Sequence, residues 1–256
     1  MEPGPLGLLL PGMSLNATIF PAFPFPTLAL DFARRPPVPV PDMDDYVRAL
    51  ATFVRTERPW RDAGRRIVIA HSFGGMLTLK WLADRAPGSE AVDGIVLVAT
   101  TAGPMYDVVR VTVGRWGGRP VSVPLAPVLG FWNRPVVTRG VKLMLAGGRT
   151  RRVDFQRLRV KRDAALDLAG WRNTTWEAMR GFRLAMQGFD VRDALARITV
   201  PAVVVHGSRD PLFPPEVGRA LADGLPHARF VLVEGAGHVL PLTHGEVVVE
   251  AARTLL

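Results

Sequence analysis

Short apolar runs of five or six residues recur along the chain, each followed by a turn: Leu6–Leu10, Thr27–Asp31, Arg66–Ala70, Gly94–Ala99, Ala202–His206 and Arg229–Val233. They are rich in Val, Ile and Leu, and most do not alternate with polar residues. Strands covered on both faces of a parallel sheet carry that pattern. Between several of them the apolar spacing becomes helical. Asp44–Glu57 puts Tyr46, Val47, Leu50 and Val54 on one face. Phe73–Ala86 carries Met76, Leu77 and Trp81, with Leu82 beside them. Pro215–Leu225 opens on a proline at a first-turn position, where the missing N–H costs little. Glu246–Leu255 supplies a last helix. Alternating strands and helices predict an α/β fold, with a mostly parallel, doubly wound sheet of about six strands flanked by helices.

The alternation breaks between Pro104 and Asp190. This stretch holds four of the six tryptophans (Trp116, Trp132, Trp171 and Trp176) and reads as helices and loops. It is expected to be a helical cap, residues 104–190, inserted into a core made of residues 1–103 and 191–256. Residues 33–41, ARRPPVPVP, read as a stiff, extended surface loop.

Charge sharpens this division. The formal net charge is +9. Residues 104–190 contain sixteen basic and six acidic residues, a net of +10, and the rest of the chain nets −1. The excess positive charge therefore sits in one segment. The sequence pI is near 11.1, yet no zinc-finger, RRM or helix-turn-helix signature accompanies it, so nucleic acid is not the expected partner.

Composition limits the remaining options. Apolar residues make up 48% of the 256, enough for a large core, and 21% are charged, which argues against disorder. The chain has no cysteine, so disulfides, thiolate catalysis and cysteine-held metals are excluded. That fits a reducing cytoplasm, the expected location. None of the five histidines forms an HxxxH or HExxH pair, and no metal site is expected. The opening MEPGPLGLLLPGM lacks a basic leader region and reads as a core strand. No apolar stretch approaches the roughly 18 residues of a membrane span. The mean hydropathy of +0.17 then reflects a thick buried sheet.

Four places carry chemistry. In IVIAHSFGG a buried strand runs into Ser72 and then a helix. Ala70 and Gly74 are small, as a tight strand-to-helix elbow requires. Such an elbow lifts the Ser72 hydroxyl above the sheet edge, at a helix N-terminus whose N–H groups can face an oxyanion. The alternative is an ordinary N-cap serine. In VVVHGSRDPLFP a strand ends and Asp210 follows, placed to accept from an imidazole or to serve only as a turn residue. In FVLVEGAGH glycines precede His238 and let the chain bring a ring back to the sheet edge; a structural loop histidine is the plainer option. In LLLPGM, Gly12 allows close backbone approach, and the Met13 N–H is placed to act with the Phe73 N–H as an oxyanion hole; a simple turn is the alternative. His244 reads as a capping or surface residue. His71 reads as packing on the sheet or lining the pocket.

The order Ser, Asp, His, each at the end of a strand, matches one of the three known serine-hydrolase orders. With LLLPGM, AHSFGG, HGSRDPLFP and GAGH, the chain resembles the α/β-hydrolase superfamily over essentially everything outside the cap. The resemblance implies Ser72 as nucleophile, His238 as base, Asp210 as the acid that orients it, and Met13 and Phe73 as oxyanion donors. DMDDYVRALATF and GFDVRDALARITVPAVVVHG further resemble small carboxylesterases of the pimeloyl-[acyl-carrier protein] methyl ester esterase type, whose basic cap receives an acidic carrier protein. Two departures stand out. Pro11-Gly12 occupies the place of the usual His-Gly. The first two strands of the full fold have no counterpart before Leu6, so either the sheet is trimmed or the N-terminus is incomplete.

The implied activity is hydrolysis of a carboxylic ester or thioester through an acyl-enzyme, without metal or organic cofactor. A small acyl ester is the expected substrate, and an acidic carrier protein or another anionic surface is the candidate partner for the basic cap. His71, Trp132, Met144 and Trp176 are candidate pocket residues, although the aromatic cap residues equally suit a core of their own. Rival readings are lactone or C–C bond hydrolysis or perhydrolysis by the same three residues, and a ligand-binding receptor on the same scaffold.

Overall fold

All six apolar runs form strands of one sheet. A computed structural model describes residues 3–13, 15–33, 36–104, 110–116, 119–124, 175–210 and 212–256. In chain order the elements are β1 (Pro5–Leu10), β2 (Thr27–Ala29), α1 (Met43–Thr56), α2 (Arg58–Asp62), β3 (Arg65–His71), α3 (Phe73–Ala83), β4 (Gly94–Val98), β5 (Arg110–Trp116), β6 (Arg119–Pro124), α4 (Trp176–Met186), β7 (Ala202–Gly207), α5 (Pro215–Gly224), β8 (Ala228–Val233), α6 (Leu240–Thr243) and α7 (Gly245–Arg253). The main sheet runs β2-β1-β3-β4-β7-β8, and every neighbouring pair is parallel.

Side chains alternate between the two faces of a strand, so each central strand feeds two cores. Leu8, Val68, Leu97 and Val204 pack on one face with α1, α3, α4 and α5. Ile67, Ile69, Val96, Val98, Val203 and Val205 pack on the other with Val248, Ala251 and Ala252 of α7. Burial on both faces explains the unbroken apolar runs. Helix α1 starts in a capping box: Asp42 accepts from the Asp45 N–H, and Asp45 accepts from the Asp42 N–H. Among the described residues no helix is long and apolar enough to cross a membrane.

Residues 104–190 differ from expectation in one respect. The segment read as helices and loops contains an antiparallel ribbon, β5 and β6, with a register shift between Thr112 and Gly114. Its described C-terminal end packs against the core. Ala178, Phe182, Ala185, Met186 and Phe189 all belong to the cluster beneath α1 and α3. Phe182 stacks on Tyr46 with ring centroids 5.5 Å apart and meets Phe73 edge-on at 4.8 Å.

Candidate active site

In a parallel sheet the C-terminal strand ends lie along one rim, and the loops leaving them share it. β1, β3, β7 and β8 deliver the Gly12, Ser72, Asp210 and His238 loops there.

The turn at Ser72 is sharp. Its φ of 51° and ψ of −116° lie in a region a non-glycine residue rarely occupies, at a typical cost of about 1–3 kcal/mol. Several contacts hold it there. The Ser72 N–H donates to the Val98 carbonyl at 2.9 Å, and its own carbonyl accepts from the Thr100 hydroxyl at 2.7 Å and the Gly75 N–H at 2.9 Å. Helix α3 can begin this close to the sheet only because of its glycines. A Cβ on Gly74 would stand 2.1 Å from the Leu10 carbonyl oxygen, and one on Gly75 would stand 2.6 Å from Thr100. Ser72 occupies the N-cap position of α3, but its side chain makes no capping hydrogen bond. The hydroxyl meets His238 instead, with Oγ 3.0 Å from Nε2.

His238 reaches the rim through the Glu234–Gly237 turn, where Gly235 has a φ of 75°. This loop is laced to the one carrying Asp210. The Ser208 N–H donates to the Val233 carbonyl, the Arg209 N–H to the Ala236 carbonyl, and the Gly235 N–H to the Ser208 hydroxyl. Gly207 permits the approach, since a Cβ there would fall 2.4 Å from the Ala236 oxygen. His238 Nδ1 lies 2.8 Å from Asp210 Oδ2. With the proton on Nδ1 donated to the carboxylate, Nε2 is left to accept from Ser72.

The Asp210 side chain is fully buried. Its other oxygen, Oδ1, accepts from the Leu212 and Phe213 N–H groups at 2.8 and 3.0 Å. Burial alone would raise this carboxyl. The charge and hydrogen bond of His238, with the two N–H groups, outweigh that and hold it below the ordinary carboxylate range. A carboxylate that stays ionised beside the ring both orients the imidazole and stabilises its protonated form.

Gly12 lies against the elbow. A Cβ there would stand 3.1 Å from the Ser72 Cβ and 2.9 Å from His71 Nδ1. Neither the Met13 N–H nor the Phe73 N–H has an acceptor among the described residues. Leu10, Pro11, Gly12, Phe32, Phe73 and Phe182 line an apolar hollow beside this loop.

The structure thus brings Ser72, His238 and Asp210 into one hydrogen-bonded line, with Gly12 against it. His71 packs beside this line. It is fully buried at the end of β3, and its Nε2–H donates to the His238 carbonyl at 2.9 Å. Trp132 and Met144 lie outside the described residues. Trp176 opens α4, and its side chain is likewise outside them.

One participant escaped the sequence reading. His206, at the end of β7, is fully buried. Its Nε2–H donates to the Phe213 carbonyl at 3.1 Å, and it lies 3.7 Å from Asp210 Oδ2, so it braces the loop that holds Asp210. Gly218 makes room for its ring, because a Cβ there would meet Nδ1 at 2.3 Å. The sequence places His206 one residue before the glycine that closes β7, a cue to the rim but not to a partner.

Comparison with known proteins agrees with this architecture. Over 48 residues, 19% of this chain and 16% of the relative, the sequence is 50% identical to rhodomycin D methylesterase DauP of Streptomyces sp. (strain C5). Over 62 residues, 24% of each chain, it is 39% identical to the pimeloyl-[acyl-carrier protein] methyl ester esterase of Xanthomonas campestris pv. campestris (strain B100). These matches span only 16% and 24% of the relatives' own lengths. A crystal structure of a hydrolase from Pseudomonas aeruginosa PA01 shares the fold, with a TM-score of 0.72 at 19% identity, covering 98% of this chain and 89% of that one. The pattern that defines the alpha/beta hydrolase family matches residues 8–251, and the chain belongs to that family.

Proposed function

We propose that this protein is a serine hydrolase that cleaves a carboxylic ester or thioester through an acyl-enzyme. The observation that carries the reading is the line from the Ser72 hydroxyl to His238 at 3.0 Å and from His238 to the buried Asp210 at 2.8 Å.

His238 Nε2 removes the hydroxyl proton as Ser72 Oγ attacks the carbonyl carbon. The Met13 and Phe73 N–H groups receive the oxyanion that forms. As the tetrahedral intermediate collapses, the same Nε2 returns the proton to the departing alcohol or thiol, leaving Ser72 acylated. Water then attacks the acyl carbonyl while giving a proton to His238, and collapse releases the acid and restores the hydroxyl. Asp210 keeps the ring oriented and balances the imidazolium in both halves.

On the substrate side, several of the local matches are to proteins named as methylesterases or methyl ester esterases, which favours an ester of a small alcohol. Residues 104–190 carry a net charge of +10, which favours an acyl group that is itself anionic or is presented on an acidic carrier protein.

Ser72→Ala is expected to lower kcat on an activated ester by about 10³-fold or more, with the fold retained. Loss of Ser72 labelling by a fluorophosphonate should accompany it. Undiminished turnover by the variant would end the proposal.

A further inference from the structure

Directly before Ser72, at the end of β3, the chain buries an imidazole completely. Three parts of the site meet at this ring. His71 Nε2 lies 2.9 Å from the backbone carbonyl of His238. The His238 ring itself stands 5.0 Å away, centroid to centroid, tilted by 51°. On the other side the Gly12 backbone presses on the ring, since a Cβ at Gly12 would meet Nδ1 at 2.9 Å and Cε1 at 3.2 Å. Chemically this is an expensive way to fill space. Nδ1 is buried without a partner among the described residues, a cost a leucine would avoid. What the imidazole offers beyond packing is one donor aimed at one acceptor, and that acceptor belongs to the residue that must stay in register with Ser72.

We infer that His71 is a positioning residue: its neutral ring, donating from Nε2 to the His238 carbonyl and seated against Gly12, locks the base loop and the oxyanion loop onto the elbow. The inference rests on the serine-hydrolase reading above. A carbonyl accepts, so Nε2 must carry the proton and Nδ1 must be bare. Burial first, and then the nearby His238, hold the pKa of this ring down to about 3. The ring therefore neither competes with His238 for the Ser72 proton nor opposes the imidazolium with a second charge.

The test pairs His71→Leu, which keeps bulk and loses the donor, with His71→Gln, whose amide N–H reaches about as far as Nε2. In His71→Leu, kcat on a p-nitrophenyl ester and the rate of Ser72 phosphonylation by a fluorophosphonate are both expected to fall at least about tenfold. KM should stay within about twofold of the parent, and His71→Gln should recover most of both rates. Equal losses in the two variants would assign the effect to packing and overturn the inference. So would parental rates in a folded His71→Leu. Should neither variant fold, ¹⁵N-imidazole NMR of the parent decides. A neutral Nε2–H ring at position 71 that does not titrate down to about pH 4.5 is expected; the Nδ1–H tautomer or a titrating ring would overturn the inference. A parent protein without turnover or Ser72 labelling would instead sink the hydrolase reading, and the NMR result would still judge the hydrogen bond.

Discussion

At the scale of single residues, two buried imidazoles, His71 and His206, stand beside the proposed triad. Burial pushes the His206 ring below its ordinary value, as it does the His71 ring. Each therefore binds its proton less readily in the folded chain than in the unfolded one. The unfolded state takes up protons below about pH 6.5 more readily than the native state, so stability is present above that pH and is lost as the solution is acidified. Each such ring adds a slope of up to about 1.4 kcal/mol per pH unit in that window. Urea midpoints measured from pH 7.5 to 4.5 should fall accordingly, and His71→Gln should fall less steeply; parallel curves would contradict the assignment. Asp210 acts lower, below about pH 4, because its depressed carboxyl binds protons more readily once unfolded. Ser72, His238 and Asp210 were legible in the sequence because each stands in a patterned turn. The bonds of His71 and His206 were not, since their acceptors are backbone carbonyls 167 and 7 residues away. A side chain's identity says nothing about which carbonyl will face it.

Among the elements, the junction of β3 and α3 depends most on residue size. Gly74 sits where any side chain would strike the end of β1, so Gly74→Ala must push the helix away from the sheet and carry the Phe73 N–H with it. The variant is expected to lose about 2 kcal/mol or more of stability and most of the proposed turnover of a p-nitrophenyl ester. Gly4→Ala, at a position with nothing within 4 Å, serves as the control and should change neither. Denaturant midpoints and initial rates on the two variants check this. The apolar runs marked all six strands of the main sheet to within two residues, because strands covered on both faces leave no room for polar positions. The ribbon β5–β6 was missed although its cue was present: Val111 and Val113, then Val121 and Val123, alternate around Gly117-Gly118. Arg115, Trp116 and Arg119 interrupt that stretch and mask the two-residue period. How α4 packs was not legible for another reason. An amphipathic helix such as α4 looks the same whether its apolar face meets a cap or the core, and only Phe182 against Tyr46 and Phe73 settles which.

Over the whole molecule, charge is the main asymmetry. An electrostatic attraction between residues 104–190 and an anionic acyl carrier would weaken as salt shortens the screening length. For carrier-linked or carboxylate-bearing esters, kcat/KM is expected to drop several-fold between about 0.05 and 0.5 M salt, while a neutral p-nitrophenyl ester changes little. Equal responses would remove the carrier from consideration. The hydrogen bond between Ser72 and His238 closes a span of 166 residues. During synthesis Ser72, the proposed nucleophile, therefore emerges from the ribosome long before His238, the group proposed to activate it. On the proposed mechanism reactivity cannot begin while the chain is partial, so ester turnover in a translation mixture would report completed folding, and chains arrested ahead of residue 238 would stay inert however well their first strands had assembled.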